Sequence, residues 1–105
     1  MKKLMIVLTL AALVAFAGQV FAHSPLMSCF DNGDNTVTCE GGFSDGSSAA
    51  GVKIHIKDNE GKILNETKMD QDSEVTFDKP TGAYMVIFDA AEGHTVEING
   101  SDIVE

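Results

Sequence analysis

The chain contains no arginine, and its seven lysines face sixteen acidic residues. Lys2 and Lys3 belong to an N-terminal export signal, so residues 23–105 keep five lysines against all sixteen acidic residues, a side-chain charge of −11. A surface of that sign repels phosphate backbones and anionic headgroups, which excludes nucleic acid and membrane surfaces as expected partners, and it concentrates cations. No nucleophile elbow, phosphate loop, metalloprotease motif or paired-carboxylate context is present, so catalysis is not expected. The sequence also lacks linkers, repeats, low-complexity tracts and any window of helical period beyond the first 22 residues. One small all-β domain is the expectation.

Residues 1–22 have the three parts of a Sec-type bacterial signal peptide: Lys2 and Lys3, an apolar stretch from Leu4 to about Ala17, and the small-residue ending Val20-Phe21-Ala22. That stretch is too short for a spanning helix of about 20 residues. No cysteine follows it closely, which argues against lipoprotein anchoring. Cleavage after Ala22 is preferred over cleavage after Ala17, because Gly18 and Gln19 read as the polar break before the cleavage segment. The expected product is one domain, 23–105, in the periplasm or secreted, beginning with His23.

An 83-residue domain has a modest core. Cys29 and Cys39 are an even pair in an exported chain, and the strong turn signal Asn32-Gly33 lies between them, so a disulfide clamping a hairpin is the first expectation. A thiolate metal site shared with Met27 is the alternative. Val52-Lys53-Ile54-His55-Ile56-Lys57 alternates strictly, which directs Val52, Ile54 and Ile56 to one face and turns His55 toward solvent. Asp58-Asn59-Glu60-Gly61, Asp70-Gln71-Asp72-Ser73 and Lys79-Pro80-Thr81-Gly82 are turns separating strands at about 63–69, 75–77 and 83–88. The run Ala83 to Phe88 is apolar throughout, as in a central strand. If Tyr84, Val86 and Phe88 enter the core, Met85 and Ile87 remain outside as a small contact surface. A last strand, 94–98, directs Val96 and Ile98 inward.

The succession Ala50-Gly51-Val52-Lys53-Ile54, Asp58-Asn59-Glu60-Gly61-Lys62-Ile63-Leu64, Asp70-Gln71-Asp72 and Pro80-Thr81-Gly82-Ala83-Tyr84 resembles the carboxypeptidase regulatory-like, transthyretin-like domains. The resemblance implies a Greek-key-like β-sandwich of six or seven strands; Ser73 departs from it, since the family usually has glycine there. The ending Phe88-Asp89-Ala90-Ala91-Glu92-Gly93-His94 is similar to the Gly-His turn of small exported proteins associated with energy-coupling transporters for nickel and cobalt. That likeness implies a periplasmic accessory of metal transport, with a membrane metal transporter or another exported protein as partner.

A free α-amino group and the imidazole of a first-residue His23 can chelate a late transition metal. Pro25 has no amide proton, so backbone-amide ligation stops at Ser24 and further ligands must come from elsewhere. His94, His55 and Met27 are the candidates. Imidazole suits nickel, copper and zinc, and the transporter likeness adds cobalt, whereas a thioether favours reduced copper. No two histidines share a short ligand spacing, so the sequence contains no ready-made site. The carboxylates of 70–74 and 31–34 lack the full calcium-loop pattern and read as turns. The sequence thus points to a non-catalytic, exported metal-binding or metal-transport accessory. The alternative is an interaction module that binds a protein or glycan through Met85 and Ile87.

Overall fold

Among the described residues the chain forms seven strands: β1 (Pro25–Asp31), β2 (Thr36–Phe43), β3 (Lys53–Asp58), β4 (Ile63–Lys68), β5 (Glu74–Asp78), β6 (Tyr84–Ala91) and β7 (His94–Asn99). This is a computed structural model that describes residues 24–91 and 94–105; the segment 1–22 expected to be a signal peptide, His23, Glu92 and Gly93 lie outside the described residues. The strands make two antiparallel sheets, β1-β2-β5 and β4-β3-β6-β7. The neighbours β2/β5 and β3/β6 are not consecutive in the chain, so the connections cross between sheets as in a Greek-key sandwich. Lettered in chain order, the sheets are ABE and a CFG sheet extended by the fourth strand, a close variant of the immunoglobulin arrangement.

The inner faces supply the core. Val37 and Cys39 of β2, Ile54 and Ile56 of β3, Val75 and Phe77 of β5, and Val86 and Phe88 of β6 are all buried, so the inward set expected for β3 and β6 holds. Phe88 is fully buried and meets the Phe43 ring edge-on, with centroids 5.9 Å apart. Its close approach to β2 requires glycine at position 41, where a Cβ would lie 2.7 Å from the Phe88 ring. Tyr84 packs in the same way on Gly100, and burial pushes its hydroxyl above the ordinary tyrosine range.

Cys29 and Cys39 are register partners on β1 and β2 and are joined as a disulfide. The ladder explains the fit. Asn32 N–H donates to Thr36 O, so pairs alternate from a hydrogen-bonded 32/36 to non-hydrogen-bonded 31/37 and 29/39, the closely spaced kind; the Cα atoms of Cys29 and Cys39 are 4.1 Å apart. With the bond formed, the thiolate-metal alternative has no thiol to use.

Ser73 has φ +61°, in the left-handed region that glycine occupies without cost. The serine is held by what its side chain does there: Oγ accepts the N–H of the fully buried Ala49 at 2.9 Å, while the Ser73 carbonyl accepts Gly41 N–H at 2.8 Å. Ser73→Ala is expected to cost about 1–3 kcal/mol by orphaning that buried donor. Ser73→Gly loses the same bond but relaxes the backbone, so it should be the milder of the two in urea denaturation. Equal effects would show that the strain is negligible.

Candidate functional site

Strand direction decides which candidates can meet. β3 and β5 start, and β4 and β6 finish, at one end of the sandwich, because Lys53 pairs with Lys68 and Asp89, and Glu40 of β2 pairs with Glu74. Asp89 pairs with Thr95 and Pro25 with Phe43, so β7 and β1 also start at that end and run parallel to each other. β1 and β7 are in contact across the side of the sandwich. The entry of the chain into β1 and the exposed residue His94 therefore share one corner. His23 lies two positions before Pro25, outside the described residues.

Met27 belongs to this corner as well. It is the third residue of β1, faces inward, is half-buried and packs against the core. On β7, Thr95 is opposite Asp89 on the outer face, and His94 is opposite Ala91 beyond a register shift between Asp89 and Ala91. Hydrogen bonds fix the entry of β1: Ser24 N–H donates to Ser44 Oγ at 3.0 Å and Ser44 N–H to Ser24 O at 2.9 Å.

His55 lies elsewhere. It is on the outer face of the four-stranded sheet, between Glu66 of β4 and Ile87 of β6. It is far less open than alternation alone implies, with its side chain only 19% exposed. Nε2 hydrogen-bonds Asp89 Oδ2 at 3.2 Å, and the buried Nδ1 sits 3.3 Å from Glu66 Oε1 without forming a hydrogen bond. The two ring nitrogens point in opposite directions, so one ion can take a single nitrogen and one of these carboxylates, which is two ligands. Among the described residues no group of three His, Cys, Asp or Glu side chains is placed to hold a metal. His55 and His94 are on different faces, and the fold does not bring them into one site.

Met85 and Ile87 are on the same outer face as His55 and are half-buried, opposite Lys57 and His55 on one side and Asn99 and Glu97 on the other. They form two apolar positions inside a charged checkerboard. The far end of the sandwich holds a cleft of about 520 Å³ between Leu64 and Asn65 of β4 and the 78–83 turn, with Ile56 and Phe77 among its lining. At that end Lys79 Nζ donates to Asp31 Oδ2 at 2.7 Å; this bond, with the Gly33 N–H, holds the Asp31 carboxyl below the ordinary range and raises Lys79.

Sequence reasoning missed the two carboxylates around His55, because the signal is distributed over three strands and becomes visible only once the β3/β4 and β3/β6 registers are known. It missed the corner for a related reason: the parallel seating of the first and last strands is a property of topology and leaves no local motif. Comparison of the chain with protein-family models, with curated proteins and with solved structures finds no match.

Proposed function

We propose that the protein is an exported, non-catalytic metal-binding or metal-transport accessory that holds nickel, cobalt or copper at the corner where β1 begins. The amine and imidazole of a processed His23 supply the chelate, and His94 supplies a further imidazole; Met27 of β1 is the donor that would favour reduced copper. One observation supports this reading: β1 and β7 start at the same end of the sandwich and are in contact, so the entry to β1 and His94 belong to one corner. The −11 charge of residues 23–105 raises the local concentration of cations. A membrane metal transporter or a second exported protein is the corresponding partner.

The test is calorimetry with copper, nickel and zinc on protein whose first residue, by mass, is His23. One-to-one binding is expected to weaken at least tenfold, about 1.4 kcal/mol, when a single alanine is added before His23, because the chelate ring is lost. It should also weaken as pH falls, since amine and imidazole must both be deprotonated to ligate. An extended protein that binds as tightly as the native one would remove the N-terminal site.

A further inference from the structure

We infer that two copies of this chain associate through the free edge of β4, forming one continuous eight-stranded sheet about a two-fold axis at Thr67. β4 is the outer strand of the four-stranded sheet and is exposed at every position except the half-buried Thr67. The other open edge on that side, β5, is the shortest strand; two copies meeting there about Thr76 would set Glu74 against Asp78. β1 and β7 pack on each other at the opposite side.

The register follows from the β3–β4 ladder. Met69 N–H donates to Val52 O and Asp58 N–H to Lys62 O, both at 2.9 Å, and these bonds bracket the pairing. Between them hydrogen-bonded and non-hydrogen-bonded pairs alternate, so Thr67 and Asn65 bond to β3, while Glu66 opposite His55 and Lys68 opposite Lys53 turn their N–H and C=O groups to the open edge. A second β4 added antiparallel must bond to those same groups and must keep each copy's inner face inward, which limits the dyad to particular residues. A dyad at Glu66 opposes the two Glu66 carboxylates. A dyad at Thr67 opposes Glu66 to Lys68 of the second copy, twice, with both backbones bonded through these residues.

Two charge observations favour the same register. Within one molecule Lys68 is directly across from Lys53, a like-charge pair that is unfavourable in isolation, and a Glu66 arriving on its open side neutralises it. The β3–β4 hairpin, 53–68, also carries four of the five lysines of 23–105 against three acidic residues, Asp58, Glu60 and Glu66. Its net positive count lets two copies approach there without the repulsion of the acidic remainder.

Sedimentation equilibrium over a concentration series up to about 1 mM tests this, alongside charge reversal. The unmodified protein is expected to show a monomer–dimer equilibrium, which Glu66→Lys and Lys68→Glu each weaken at least tenfold and the double reversal restores. Thermal melts of the monomers distinguish lost association from lost folding. Should a single variant fail to fold, amide exchange on the unmodified protein decides: protection at Glu66 and Lys68 must rise with concentration. A protein that stays monomeric throughout, association that survives the single reversals, or a double variant that does not recover would each overturn the proposal.

Discussion

Replacing Cys29 and Cys39 together with alanine is expected to lower stability by about 3 kcal/mol. The bond closes a loop of sequence separation 10, and in the chain-entropy account its effect is on the unfolded ensemble, which regains the freedom that the cross-link removes. On the folded side the two residues are direct register partners, and Cys39 is fully buried in the core. In a domain of this size about 3 kcal/mol corresponds to a fall in Tm of roughly 12–24 °C. Urea denaturation of the oxidised protein, the reduced protein and the double variant measures it. Reduced and double-variant proteins should nearly coincide. A loss below about 1 kcal/mol would mean that the unfolded chain already holds the β1–β2 hairpin together through its Asn32-Gly33 turn.

Phe88→Ala should have an effect as large or larger, about 3–5 kcal/mol. The ring is fully buried, contacts Phe43 edge-on and fills the space left by the missing side chain of Gly41. Gly41 cannot reach into the void, and the surrounding β-ladders resist collapse, so the site relaxes poorly and the cavity term is retained. A domain of 83 residues has a total stability of only about 4–12 kcal/mol. The variant is therefore expected to be substantially unfolded at 37 °C. Phe30→Ala provides the contrast: Phe30 is 38% exposed on the outer face of β1, and its loss should cost under about 1 kcal/mol. Comparable losses for the two would mean that the outer face of β1 is covered in solution.

Much of the sandwich was legible because its strands obey period two. Val52 to Lys57 alternates in polarity, and Ile54 and Ile56 are buried as that pattern requires; the run Tyr84 to Phe88 is apolar throughout and alternates only in burial, with Tyr84, Val86 and Phe88 inside. The turn residues worked equally well. Asp58 Oδ1 accepts the N–H groups of Glu60 and Lys62, and Asp70 Oδ1 accepts those of Asp72 and Glu74, so each aspartate ties its own turn. β1 was harder to read as a strand. Its outward residues include Leu26 and Phe30, both exposed, so the polar-out alternation is absent and only the paired cysteines and the following turn mark it. The surroundings of His55 were illegible for a different reason: a period-two pattern names a face and says nothing of what adjacent strands place beside a residue on that face. The register shift between Ile56 and Lys57 adds to this, since it displaces β4 by one residue relative to simple counting back from the turn.

The seating of the first strand beside the last has a consequence for the order of events during synthesis. A chain that emerges amino-terminus first can close β1 on β2 early, because that contact is local and is then locked covalently. The β1–β7 contact joins the two extremes of the domain, so its loop-closure cost is met only after the five intervening strands have been delivered. The corner with His94 is consequently absent from every partially synthesised or truncated chain, however well its early hairpin has formed. Access to that corner marks a molecule whose synthesis and folding are both complete.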